Sequence, residues 1–282
     1  MGNRMKLSDP DFGKCVRLEE KDIAAVIAPE MGMAMISFTV KGEEILDQSR
    51  KDIFLKCRKG LGPLILPHFN QQVPAPDVDV SAIPHVEHLK ALGIKHPFQH
   101  GIGRYAPWRY MTDEKSVSGT LSGEDLLNGL KIRELNGSAF KAQVTYRLFG
   151  GALEITLGAE GERPVQAGIH FYYDLKNRAT ARAFLPVTGG KQEFRFDQAY
   201  DLPLKPEKTG GEICYRLETR TYSLDTVVAA DGPPGTVFED VIIFSPENAP
   251  FTCLEPLSNL ERERAGSKFK GMIRLKPSSR QN

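Results

Sequence analysis

Apolar and polar residues alternate over short segments along most of the 282-residue chain, and glycine and proline interrupt the pattern at frequent intervals. A period of two turns one face of a segment to a core and the other to solvent, as in antiparallel sheets packed face to face. The plainest instance is AQVTYRLFGGALEITLGAEG. Val144, Tyr146 and Leu148 alternate with Thr145 and Arg147, Gly150–Gly151 form a two-residue turn, and Leu153, Ile155 and Leu157 resume the alternation. MAMISFTVKGEEIL has the same form with Lys41–Gly42 at its turn, and further strands are predicted at 213–222, 224–229, 236–244, 251–255 and 271–276. HVEHLKALGI and GEDLLNGL are each predicted as a short helix. No long 3.6-residue stripe and no strand–helix repeat points to a bundle or a parallel sheet. The expected fold class is all-β, a large antiparallel β-sandwich with few short helices.

Length alone would allow two domains, but all-β domains of roughly 200 to 250 residues are common. No linker, internal repeat or low-complexity tract divides the chain, so a single domain over residues 1–282 is expected. Hydrophobic residues make up 40% and charged residues 26%, enough apolar side chain for a sizeable core. The net charge of +1 comes without a basic stripe, which argues against nucleic acid and anionic membrane surfaces as partners. No apolar run approaches the ~18 residues of a membrane span. The N-terminal MGNRMKLSDPDFGKC lacks the apolar core of a signal peptide, and Lys6 stands where a myristoylation signal needs Ser or Thr. A cytoplasmic location is the expectation. Cys15, Cys57, Cys214 and Cys253 are far apart and form no CxxC pair, so reduced thiols are expected rather than a zinc ribbon or disulfide framework.

The candidate chemistry is concentrated in three places. Five of the six histidines, His68, His85, His88, His96 and His100, fall between positions 68 and 100. His96 and His100 would share a helical face, but Pro97 and Gly101 oppose a helix, and no nearby Cys or acid completes a ligand set, so no metal site is expected. In GIHFYYDL, alternation puts Ile169, Phe171, Tyr173 and Leu175 on one face and His170, Tyr172 and Asp174 on the other, a polar and aromatic face suited to a sugar. In FTCLEPLSN, Glu255 follows Phe251, Cys253 and Leu254 and precedes Pro256, where the chain is expected to leave regular pairing. A partly desolvated carboxylate there would have a raised pKa, useful in a general base. The proline-rich VPAPDVDVSAIP, residues 73–84, is a long surface excursion, open between a lid and a passive insertion.

Taken together, IAPEMGMAMISFTVKGEEIL, GLGPLILPHFN, HGIGRYAPW, GIHFYYDL, FDQAYDL and CLEP resemble, in order and spacing, the aldose 1-epimerase (galactose mutarotase-like) family, and most closely its hexose-6-phosphate mutarotase branch. The resemblance covers nearly the whole chain. It implies the mutarotase supersandwich, an open sugar-sized cleft, and catalysis without metal or organic cofactor. It also implies roles: Glu255 as the base on the anomeric hydroxyl, His170 as the acid on the ring oxygen, His100 orienting or polarising that oxygen, and Asp197 binding sugar hydroxyls. Arg104 would bond a sugar oxygen or phosphate, with Trp108 packed nearby. Asn70–Gln71 replaces the Asn-Arg of many galactose-specific relatives, leaving Gln71 to hydrogen-bond hydroxyls. The expected partner is a small sugar or sugar phosphate, and the expected state a monomer or homodimer. A non-catalytic carbohydrate-binding or regulatory protein on the same scaffold, and a glycoside-cleaving enzyme using two carboxylates, are the alternatives.

Overall fold

The computed structural model describes residues 3–278; the expected domain, 1–282, runs past these bounds at both ends, as do Met1 and Gly2 of the N-terminal stretch. Antiparallel sheets dominate. A nine-stranded sheet includes the long Gly150–Gly151 hairpin, where strands Phe140–Phe149 and Ala152–Gly161 pair in unbroken register. Both turn glycines have positive φ, 62° and 76°, as the primed two-residue turn requires. Residues 140–149 are alternately buried and solvent-facing along their length, as the sequence pattern demands. A six-stranded sheet carries the C-terminal half of the polar chemistry, and the first five strands form a sequential N-terminal meander. Lys41 and Gly42, both with positive φ, turn that meander between Ala34–Val40 and Glu43–Glu44.

Side chains from these three larger sheets meet in one hydrophobic cluster, from Val16 and Phe38 in the meander, through Val144 and Ile155, to Phe171, Ile243 and Leu254. The structure is thus the all-β sandwich that alternation predicts. The helix predicted in HVEHLKALGI is present as Pro84–Ala91. The one predicted in GEDLLNGL is absent: Leu126–Leu127 and Leu130–Lys131 pair as a minimal hairpin around Asn128 and Gly129, whose φ values are 49° and 81°. Asn-Gly is the strongest two-residue hairpin signal, and it overrides the weak helical spacing of the leucines. The unpredicted helices Lys51–Cys57 and Ile132–Asn136 are short and bury only two side chains each, as connectors do.

Candidate active site

The site is built on the buried strand Phe251–Leu257, which runs between strand Asp240–Ser245 on one side and the Gly168–Asp174 segment on the other. Gly168 faces Leu257 and Tyr172 faces Cys253, and the two pairings share one register. That register brings His170 opposite Glu255, and cross-strand neighbours are close enough to touch. His170 Nε2 is 3.2 Å from Glu255 Oε1. The strand does not end at Glu255 as the following proline predicts: Pro256 stays in the sheet, facing Val241. It falls where pairing with the Gly168–Asp174 segment is interrupted, so a residue without N–H is tolerated. At the interruption the backbone N–H of His170 turns away to the Pro63 carbonyl, 2.9 Å distant. The predicted two-faced pattern holds, with Ile169, Phe171, Tyr173 and Leu175 in the main core and the His170 ring stacked on Tyr172 at 4.6 Å between centroids.

His100 comes from a separate loop folded against residues 66–70. The His100 carbonyl accepts from Leu66 N–H, the Gly103 N–H donates to the Leu66 carbonyl, and the His100 N–H donates to the Asn70 carbonyl. Gly101, at φ 90°, is obligatory: a Cβ there would lie 1.9 Å from the Leu66 carbonyl oxygen. The fold-back sets the His100 ring edge-on to His170, with centroids 5.3 Å apart. The Asn70 N–H donates to His100 Nδ1 at 3.2 Å, which places the proton of the neutral ring on Nε2.

These groups open onto a cavity of about 610 Å³, lined also by Arg50, Lys59, Phe69, Asp201 and Phe251. Small-molecule sites run from ~300 to 1,000 Å³. Burial controls the electrostatics. Glu255 is only 2% exposed, and desolvation pushes its pKa up to about 8, opposed by the nearby charges of Arg104 and Lys59 and assisted by Asp201. Desolvation also holds His170 well below the usual imidazole value, with Arg104 and Lys59 acting in the same sense. His100 is depressed for the same reasons. The 3.2 Å contact is therefore a hydrogen bond within a pair that holds one proton at neutral pH, and an ion pair only when that proton moves to the imidazole. Glu255 Oε2 and His170 Nδ1 are buried without hydrogen-bond partners among the described residues.

Four of the residues expected to bind substrate stand outside the cavity wall. Arg104 is 1% exposed and lies beneath the site, donating to the Leu64 and Arg58 carbonyls, so its charge reaches the site through the protein rather than by contact. Trp108 is a core residue whose indole N–H is taken by the Gly103 carbonyl at 2.8 Å. Gln71 is exposed and accepts from His96 N–H, and Asp197 is exposed in the turn after strand Gly190–Arg195. In its place Asp201, four residues on and at the second position of strand Tyr200–Leu204, lines the cavity. Both aspartates are in FDQAYDL, and the alternation of the following strand is the signal that could have separated them. Asn70 does line the cavity, as do His100, His170 and Glu255. Arg50 and Lys59, which flank helix Lys51–Cys57, carried no sequence signal. None of residues 73–84 reaches this cavity.

His170, Cys253 and Glu255 place potential metal-ligating atoms within 4.8 Å of one another. The Cys253 thiol is held protonated by burial between Tyr172 and Phe251, and the permanent charge of Arg104 opposes a dication there, so the cluster suits proton transfer better than metal binding.

Comparison with solved structures identifies the architecture. The Slr1438 protein from Synechocystis sp. PCC 6803 superimposes with a TM-score of 0.68 at 16% identity, over 94% of this chain and 96% of that one. A galactose mutarotase related enzyme from Lactobacillus acidophilus gives 0.62 at 15% identity, over 94% and 97% of the two chains. The galactose 1-epimerase from Lactobacillus acidophilus NCFM gives 0.62 at 14% identity, over 99% and 98%. The fold is galactose mutarotase-like. Identities this low establish the fold, and the structural likeness singles out no branch such as the hexose-6-phosphate enzymes. No family model and no curated protein matches the chain.

Proposed function

We propose that the chain is an aldose 1-epimerase that interconverts the α and β anomers of a hexose, with Glu255 and His170 carrying the reaction. The supporting observation is the 3.2 Å contact between the buried Glu255 carboxyl and His170 imidazole at the wall of a sugar-sized cavity. Transfer across that contact yields carboxylate and imidazolium with no change in net charge. In that form Glu255 removes the proton of the anomeric hydroxyl while His170 delivers one to the ring oxygen. The C1–O5 bond breaks, C1–O1 becomes a carbonyl, C1 rotates, and the reverse transfers close the ring to the other anomer. Each positioned proton transfer contributes about 10²–10⁴-fold, and anomers already interconvert slowly in water. His100 offers a neutral Nε2–H to the ring oxygen, while Phe69, Tyr172 and Phe251 offer apolar surface to the C–H faces. The scheme needs no cofactor.

Arg50 and Lys59 favour a phosphorylated hexose over a neutral one. Both line the cavity, and neither is in an ion pair among the described residues: Arg50 lies over the Phe251 ring and Lys59 donates to Gln99 Oε1. Desolvated cations of this kind gain most from an anionic group. Exchange NMR on glucose and glucose 6-phosphate tests both statements. We expect accelerated anomer exchange that falls by at least about 10³-fold in Glu255→Gln, and a KM for the phosphate that rises about tenfold in Arg50→Gln with the neutral sugar unaffected. Sugar binding without any acceleration by the unaltered protein would favour the non-catalytic alternative.

A further inference from the structure

Beyond residues 67 and 68 from the first cavity, the chain forms a second, partly open cavity of about 200 Å³ that shares no lining residue with it. His68, 2% exposed, is in its wall. Its Nε2 lies 2.9 Å from the Phe98 carbonyl oxygen. A carbonyl only accepts, so the ring proton is on Nε2 and Nδ1 is a bare lone pair. That Nδ1 is buried and has no hydrogen-bond partner among the described residues. It does not acquire a proton of its own, because burial holds the ring down to about 3, with His96, Arg262 and Arg104 adding to the effect.

Arg163 and Arg262 stand in the same wall. Burial disfavours the charge of Arg262, the exposed Arg163 adds to this and Glu263 opposes it, and among the described residues neither arginine is in an ion pair. The Nε of Arg262 is buried without a partner. Asp77, the acid in the wall, pairs with neither. Two mutually repelling guanidinium groups beside an unsatisfied buried acceptor call for a ligand that accepts at several oxygens and donates at one.

We propose that this cavity binds a small oxyanion that keeps one hydroxyl, either monohydrogen phosphate or a 2-hydroxycarboxylate. Its O–H donates to His68 Nδ1 and its remaining oxygens accept from Arg163 and Arg262. Residues 73–77 of the proline-rich excursion complete the wall, which gives that segment a role away from the catalytic cleft. The proposal does not rest on the epimerase reading.

Calorimetry on the full chain, in the Arg50→Gln background so that phosphate binding in the first cavity is weakened, compares inorganic phosphate with sulfate and lactate with acetate at pH 7.5. Sulfate and acetate carry no hydroxyl at that pH. The expected result is that phosphate or lactate binds at least about tenfold tighter than its hydroxyl-free counterpart, and that Arg262→Gln weakens it about tenfold. Whichever of the two binds identifies the source. His68 is left intact because of its burial, and its Nδ1 nitrogen resonance should move on saturation. Binding that is equal for both members of each pair, unchanged by Arg262→Gln, or silent at His68 overturns the proposal, as does no binding at all.

Discussion

Glu255 and His170 are ordinary residues placed where neither is comfortable as an ion. The usual carboxylate and imidazole values would leave the carboxyl ionised and the imidazole mostly neutral at pH 7, with no proton on the pair, and burial restores one by raising the first to about 8 while depressing the second. The proposed reaction requires one proton on the pair, whichever atom holds it, and the two sites titrate as a unit. That proton is lost as pH rises through the folded value of about 8. The kcat/KM of the proposed anomer exchange is therefore expected to stay level through neutral pH and to fall tenfold per unit above about 8. A profile measured by exchange NMR that falls instead from about 6.5, the ordinary imidazole value, would show His170 acting alone.

At the scale of elements, geometry is set by turns and register. The loop carrying His100 is locked to residues 66–70 by backbone hydrogen bonds that leave no room for a Cβ at Gly101. Gly129 is the contrasting case: its φ is also positive, 81°, but nothing lies within 4 Å of an added Cβ. Gly101→Ala should then cost about 3 kcal/mol in chemical unfolding, the sum of strain and a backbone clash. Gly129→Ala should cost about 1 kcal/mol, from strain alone. Anomer exchange should drop in Gly101→Ala under conditions where the protein is folded, because the turn aims the His100 ring, and should be unchanged in Gly129→Ala. Equal losses in the two variants would mean that the fold-back does not set the site.

Across the whole molecule the same desolvation shapes stability. His68, His85, His96, His100 and His170 are all depressed by burial, His68 to about 3 and His85 to about 4. The unfolded chain binds more protons at these sites below about 6.5, so stability falls as pH drops through that range. Glu255 acts with the opposite sign. Its folded value exceeds the unfolded one, so the folded state binds the extra proton and stability declines as pH rises from about 4.5 towards 8. The five histidines outweigh the raised carboxyls of Glu255, Asp47 and Asp240 on the acid side, and Glu255 remains on the alkaline side, which places the maximum Tm near pH 6.5. In Glu255→Gln the alkaline decline should flatten, making the variant more stable than the parent at pH 8.5 by calorimetry. A parent-like decline in the variant would assign the slope to other groups.

Much of the fold was legible in the sequence because strand alternation and Gly-Gly or Lys-Gly turns are local: the 140–161 hairpin, the 34–44 hairpin and the two faces of 169–175 follow from residues adjacent in the chain. GEDLLNGL misled because leucine spacing competes with an Asn-Gly turn, and only the latter has a fixed backbone demand. Family-like motifs marked His100, His170 and Glu255, and those three reach one cavity. The closeness of His170 and Glu255 depends on the register between strands carrying positions 170 and 255, and that of His100 on a loop folded against residues 66–70, non-local quantities that no local pattern encodes. Tertiary packing also sorted neighbours of the same type, sending Arg104 under the site and bringing Arg50 and Lys59 to its wall, and choosing Asp201 over Asp197. A side chain's chemistry is given by its identity. Its exposure, and through exposure its charge, is fixed only when the rest of the chain has closed around it.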